Sequence, residues 1–215
     1  MNRLPRLLRF SLLLVVIYTL AFSAARLAFW RLFDNPTDPL AGADLLQALY
    51  LGFKFDLRLA LLIILPLLLV GWLRPLSPFN SRLGHGLWLG YLVLATVATV
   101  LFYVTDFGHF AYLHVRADSS MLRFLANPLI SLQMVWQSYP VITWGIVLLL
   151  LFCATALGLR KMLLLCAAIP QPKRSGWRKA GIATATFFIV LAGLYGKFSW
   201  YPLRWSDAFF STHAF

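Results

Sequence analysis

Side chains that could bind a metal are few, and their spacing does not bring them together. Asp106, His109 and His114 occur in one short stretch. On a helix Asp106 and His109 share a face, whereas His114 lies five residues beyond His109 and does not. Zinc and manganese sites usually need three or more converging ligands. We therefore predict no metal site here, and no cofactor bound by these 215 residues.

Candidate nucleophiles also lack the partners that catalysis needs. A Ser, Thr or Cys nucleophile requires a base and a group that orients the base. Thr105 is adjacent to Asp106, but sequence neighbours point to different faces of a helix. Ser119 and Ser120, after Asp118, fit a helix start better. The chain has only seven acidic residues, all of them Asp, so few carboxylates could act as a catalytic acid or base. We predict no catalytic residue.

Arginine side chains remain as candidates for binding chemistry. Arg58, Arg116, Arg123 and Arg204 lie near the ends of apolar stretches, where lipid headgroups would be, and a guanidinium can form paired hydrogen bonds with phosphate. One interpretation is general anchoring to the bilayer, and the other is a specific lipid-phosphate site. In the second we expect Arg116 and Arg123 to contact phosphate, Arg58 and Asp56 to support them, and Arg204 to dock a following domain.

The composition indicates that the elements positioning these residues are membrane helices. The chain is 61% hydrophobic and 12% charged, with a mean hydropathy of +0.79. Soluble domains are about half apolar and about one-quarter charged. These values exclude an ordinary cytosolic globule and a disordered tail. The two cysteines, Cys153 and Cys166, lie in apolar stretches and form no disulfide framework.

Five stretches are predicted to cross the membrane, since a crossing helix needs about 20 apolar residues. We expect an all-α, polytopic membrane protein of five transmembrane helices, with short amphipathic helices at the outer interface. The first stretch could instead be a cleaved signal peptide, because Ser23, Ala24 and Ala25 are small. We favour an uncleaved anchor, because apolar character resumes after Arg26. The predicted spans are 10–30, 55–72, 82–106, 140–159 and 179–197.

Basic residues predict the orientation and account for the net charge of +12. With a cytoplasmic N-terminus, the inner segments would be 1–9, 74–84 and 160–179, which hold eleven of the nineteen Lys and Arg residues. This bias follows the positive-inside rule and places the C-terminus outside. We therefore expect attraction to the bilayer and its anionic lipid headgroups rather than to nucleic acid.

Two of the outer segments contain short amphipathic patterns. Residues 42–53 have apolar side chains at helical spacing and should form a surface helix that leads into the second span. In the longest outer segment, a helix should start after Asp118. Asn127 and Pro128 read as the cap and first position of the next helix.

The second span carries an unusual set of charges. Only 15 residues separate Arg58 from Arg74, so the helix must begin earlier and carry Lys54, Asp56 and Arg58 near its outer end. A carboxylate there should pair with an Arg of another segment, and the candidates are Arg26, Arg116 and Arg123. The pair could lock helices together, or it could form part of a pocket for a lipid headgroup.

Three stretches resemble the lipoteichoic acid synthase-like, sulfatase-fold membrane transferases. The first is YLGFKFDLRLALLIILPLLL at 50–69, and the second is YVTDFGHFAYLHVRADSSMLRFLANP at 103–128. The third, PLRWSDAFFS at 202–211, is similar to the family's stretch before its extracellular enzyme domain.

The resemblance implies a phosphoglycerol or phosphoethanolamine transferase of the bacterial inner membrane. Its transmembrane domain, 1–198 here, would be followed by a linker, 199–215. A sulfatase-fold catalytic domain with a Thr nucleophile and manganese would come after Phe215. These residues would then anchor that domain and present donor phospholipid, without turnover of their own. The alternative hypothesis is a non-enzymatic polytopic subunit that binds a protein partner or lipid.

Overall fold

A computed structural model describes residues 4–33, 42–117, 127–170, 175–197 and 200–204. Within these residues the chain is all-helical and has no strand. The expectation of a helix start after Asp118 falls outside the described residues, as does most of the predicted linker 199–215. The six α-helices are α1 Arg6–Phe33, α2 Gly42–Val70, α3 Arg82–Leu113, α4 Pro128–Ser138, α5 Val141–Ala168 and α6 Gly176–Tyr195, with a 3-10 helix at Arg74–Leu76.

The helix α5 extends beyond its predicted apolar stretch because a helix-breaking residue, rather than hydropathy, sets its end. The fifth helix, α5, continues through Arg160 and Lys161 to Ala168 and stops just before Pro170. A proline disfavours helical geometry in the residue before it. The stretch 42–53, expected to form a surface helix that leads into the second predicted span, belongs with residues 54–70 to the single helix α2.

Four of the α-helices are long and apolar enough to cross a membrane: α1, α3, α5 and α6. The second helix, α2, has the length but not the composition, because Lys54, Asp56 and Arg58 fall in every 18-residue stretch of it. Many apolar side chains of the four helices are exposed, including Ile142 and Leu149 of α5 at 70% and 62%. Exposed apolar surface of this extent is typical of a protein that contacts lipid.

The chain forms two compact units, and the first comprises Met1–Gly86 and Leu163–Phe215. In this unit α1 packs against α2, and α2 packs against α6. The fully buried side chains include Phe10 and Leu14 of α1 and Ile64 and Leu67 of α2. Burial of such side chains stabilises the contact between the two helices.

The second unit, Leu87–Met162, contains α4 and most of α3 and α5. The predicted start of α4 is confirmed: Asn127 is its cap position and Pro128 its first residue. Proline suits this position because its missing N–H would have no partner in the first turn. At the C-terminal end of α3, His114 takes a positive φ of 54° directly after the helix ends at Leu113.

Candidate functional site

The first unit contains a buried ion pair between α1 and α2. The side chain of Asp56 is 3% exposed and that of Arg26 is 25% exposed. Arg26 Nη2 donates to Asp56 Oδ1 at 2.7 Å, and Arg26 Nε donates to Oδ2 at 3.3 Å. Ser23 Oγ also donates to Oδ2, at 3.0 Å. Both carboxylate oxygens therefore have partners on the neighbouring helix.

Helical spacing on both helices explains how these groups meet. Ser23 and Arg26 are three residues apart and share one face of α1, while Gly52 and Asp56 are four apart and share one face of α2. Gly52 leaves room for the guanidinium, since a Cβ there would lie 2.5 Å from Arg26 Nε. The Gly52 carbonyl also accepts a hydrogen bond from Arg26 Nη2 at 3.4 Å. We call Ser23, Arg26, Gly52 and Asp56 the α1–α2 polar cluster.

The cluster confirms the expectation that Asp56 pairs with an arginine on another helix, and it selects Arg26 from the three candidates. A carboxylate whose oxygens accept three hydrogen bonds has little capacity left to act as a base or a metal ligand. Paired hydrogen bonds also fix the register and rotation of one helix against the other. The cluster thus links α1 to α2 through a charged pair with a third donor.

Arg58 points to a different partner, on the segment that follows α6. Its Nη1 donates to the backbone carbonyl of Leu203 at 2.6 Å. The Leu203 N–H donates in turn to the carbonyl of Tyr195 at 2.9 Å, and the Leu203 side chain is 3% exposed. Gly196 ends α6 in the left-handed conformation, at φ 70°, which turns the chain back toward the helix. We call this arrangement of Arg58, Tyr195, Gly196 and Leu203 the Leu203 anchor.

Asp56 and Arg58 thus lie on one helix but have separate partners. Two residues apart on a helix, they point to different sides. Asp56 binds α1, whereas Arg58 binds the segment after α6. No hydrogen bond or ion pair between the two is found in the described part of the chain.

The other arginines predicted to bind phosphate have different surroundings. Arg204 is exposed, and its guanidinium lies 4.5 Å from the ring centre of Tyr201. In the second unit, Arg116 Nη2 donates to Asp106 Oδ2 at 2.6 Å, with the Arg116 side chain 43% exposed. Arg123 falls outside the described residues. Asp106 also accepts the N–H of Ala117 at 2.9 Å, so it caps the turn after α3.

Asp106 and His109 have local hydrogen-bond partners. The carboxylate of Asp106 is paired with Arg116, and Nδ1–H of His109 donates to the carbonyl of Val115 at 2.8 Å. Among the residues that the structure describes, no group of three His, Cys or Asp residues is placed to hold a metal ion.

Sequence reasoning missed two members of the α1–α2 polar cluster. Ser23 entered only as a small residue near a possible cleavage site, and Gly52 only as part of an amphipathic pattern. The signal that could have found them is spacing: Ser23 lies three residues before Arg26, and Gly52 lies four before Asp56. Ser and Gly at those positions leave space and a donor for a charged pair.

Comparison with known protein families, curated proteins and solved structures found no match for this chain.

Proposed function

We propose that this chain is the five-span membrane domain of a lipoteichoic acid synthase-like transferase in a bacterial inner membrane. In this proposal it anchors an extracytoplasmic sulfatase-fold domain that uses manganese, and it presents a donor phospholipid to that domain. The observation that carries the proposal is the Leu203 anchor. It fixes the direction in which the chain leaves the last membrane helix, as a domain that positions a following enzyme must do.

The α1–α2 polar cluster supports the proposal that α2 crosses the membrane too, in addition to α1, α3, α5 and α6. The helix has 29 residues, which corresponds to about 43 Å and exceeds the roughly 30 Å of the hydrocarbon layer. Its one carboxylate in the apolar half, Asp56, is neutralised by Arg26. Pairing removes most of the cost of placing a carboxylate at the membrane boundary. From Leu59 to Val70 the helix carries no charge.

The distribution of basic residues supports a cytoplasmic N-terminus and a C-terminus on the outer side. Five crossings place 1–9, 74–84 and 160–179 on one side, and these segments, which include the adjoining helix ends, hold eleven of the nineteen Lys and Arg residues. The α1–α2 polar cluster and the Leu203 anchor then lie toward the outer leaflet. The short helix α4 would lie along the outer interface.

The cations around the Leu203 anchor support binding of a phospholipid headgroup. Asp56 is already paired with Arg26, so Lys54, Arg58 and Arg204 add positive charge without drawing on that carboxylate. Lys54 and Arg58 share a face of α2, since they are four residues apart. Arg58 offers donors beyond the one bound to Leu203, because a guanidinium carries five N–H groups. We propose that Arg116 and Arg123 contribute a second set of phosphate contacts.

The first experiment tests the Leu203 anchor in the full chain reconstituted in lipid. We expect Arg58→Ala to raise the hydrogen-exchange rate of the Leu203 amide about 10- to 100-fold, since a hydrogen bond to a charged donor contributes about 1.5–3 kcal/mol. Lys54→Ala is the matched control, because it removes a cation from the same face of α2 and should leave the rate unchanged. Equal exchange rates in the two variants would contradict the anchor.

A second experiment tests lipid presentation. Native mass spectrometry of the purified chain counts bound phosphatidylglycerol and phosphatidylcholine. We expect the Arg58→Ala, Arg204→Ala double variant to retain at least about tenfold less phosphatidylglycerol than wild type, because two charge-assisted phosphate contacts are lost. Unchanged retention would refute the headgroup role and favour the non-enzymatic subunit.

A further inference from the structure

Arg9, in the second turn of α1, is a buried arginine whose side chain is only partly satisfied. The residue is 2% exposed. Its Nε donates to the carbonyl of Leu4 at 2.9 Å. Its two terminal nitrogens, Nη1 and Nη2, are buried and have no hydrogen-bond partner within the described residues. Because a guanidinium stays protonated in proteins, Arg9 is a buried cation with free donors.

No acidic residue occurs in the segments that surround Arg9. Contacts place the start of α1 beside the end of α2, where a Cβ at Gly71 would lie 3.1 Å from Leu7. Arg6 Nε donates to the carbonyl of Ile169, and the ring of Phe10 packs edge-on against that of Phe79. The sequence holds no Asp in 1–33, 57–86 or 163–197, and no Glu anywhere. The charge of Arg9 therefore has no compensating carboxylate in these segments.

An unpaired buried charge is unfavourable, so an anion bound at Arg9 would stabilise this arrangement. The geometry suits phosphate. Two terminal guanidinium nitrogens form the fork that matches two phosphate oxygens. The guanidinium also lies at the N-terminus of α1, through its bond to Leu4, and the first N–H groups of a helix have no carbonyl partner within it.

We propose that Arg9 Nη1 and Nη2, together with the N-terminal turn of α1, bind the phosphate group of an anionic phospholipid. Leu4 and Pro5 precede the helix and are only half-buried, so in this proposal the headgroup reaches Nη1 and Nη2 from their side. The site lies about 25 Å along α1 from Arg26, as seventeen residues rise about 1.5 Å each. It is therefore separate from the α1–α2 polar cluster and from Arg58.

The test measures the melting temperature of the full chain in neutral detergent with added phosphatidylglycerol, phosphatidylcholine or inorganic phosphate. For wild type we expect phosphatidylglycerol to raise Tm by about 5–10 °C at a hundredfold excess over its Kd. Arg9→Gln should lose at least about tenfold in affinity for phosphatidylglycerol. Arg9→Lys keeps the charge but not the fork, so its affinity should lie between those of wild type and Arg9→Gln. Arg74→Gln is the matched control, since Arg74 is exposed and follows the end of α2.

The lipid-free Tm of Arg9→Gln separates binding from a structural role. Removing an unpaired buried charge should leave that Tm equal to wild type or higher. A lower lipid-free Tm would mean that Nη1 and Nη2 have a partner within the chain, beyond the bond of Nε to Leu4, and it would overturn the proposal. Equal phosphatidylglycerol shifts in wild type and Arg9→Gln would overturn it too.

The three additives distinguish the source of the phosphate. A shift with phosphatidylglycerol but not with inorganic phosphate supports a lipid headgroup. A full shift with inorganic phosphate alone would support a phosphate site but overturn its assignment to lipid. Arg74→Gln should keep the wild-type shift. Failure of the Leu203 anchor is visible separately, in the exchange rate of the Leu203 amide, which Arg9→Gln should leave unchanged.

Discussion

Removing either member of the Arg26–Asp56 pair should destabilise the packing of α1 on α2, by different amounts. Arg26→Ala leaves Asp56, 3% exposed, with Ser23 as its remaining donor. The expected loss is about 3–5 kcal/mol, as for other buried pairs that lose one partner. Asp56→Ala leaves Arg26, which is 25% exposed and can extend toward the headgroups, so we expect a smaller loss of about 2–3 kcal/mol.

The double variant Arg26→Ala, Asp56→Ala isolates the interaction between the two side chains. Because neither charge is then left unpaired, the double variant should lose at least about 2 kcal/mol less than the sum of the single losses. The assay is reversible unfolding in mixed micelles with a rising fraction of sodium dodecyl sulfate, followed by far-ultraviolet circular dichroism. If the sum of the two single losses equals the loss of the double variant to within about 0.5 kcal/mol, the coupling and the proposed locking of the two helices are refuted.

Three further perturbations probe local features. Gly52→Ala should cost about 1–3 kcal/mol in the same assay, because its Cβ would meet the guanidinium, whereas the control Gly90→Ala meets nothing within 4 Å and should gain up to about 1 kcal/mol. Gly196→Ala should cost about 1–2 kcal/mol, since φ is 70° there. Asp106→Asn removes the charged partner of Arg116, and limited proteolysis should then cut after α3 faster than in wild type.

Features of the fold that depend on neighbouring residues were predictable from the sequence. Apolar stretches located the long helices, and the Asn127–Pro128 pair predicted where α4 begins. The buried position of Asp56 and its need for an arginine followed from charge spacing within a short apolar stretch. These features depend on neighbouring residues alone, which is why composition and spacing reveal them.

Features that depend on distant segments were not predictable. The partner of Arg58 is a backbone carbonyl 145 residues away, and every residue offers such a carbonyl. The pairing of Arg116 with Asp106 spans the end of α3 and follows no helical spacing. The burial of Arg9 depends on segments from three parts of the chain. Its position in the N-terminal basic cluster had suggested only a topology signal.

The continuity of α2 shows a different limit. Polar residues between two apolar stretches suggested a surface helix followed by a span, yet Gly42–Val70 is one helix. Charge patterns report where a helix meets water or lipid, and they do not mark where the helix begins or ends. Pro66 is the only proline within α2 and does not end the helix. Charges alone therefore could not divide the segment.

The most direct test of the account is whether α2 crosses the membrane. With Cys153 and Cys166 replaced by Ser, single cysteines at Leu46 and Leu73 flank the apolar half of α2, and both positions are exposed at 69% and 54%. The account predicts that a membrane-impermeant maleimide labels position 46 in intact cells, and position 73 only after permeabilisation. Labelling of both positions from the same side would contradict it.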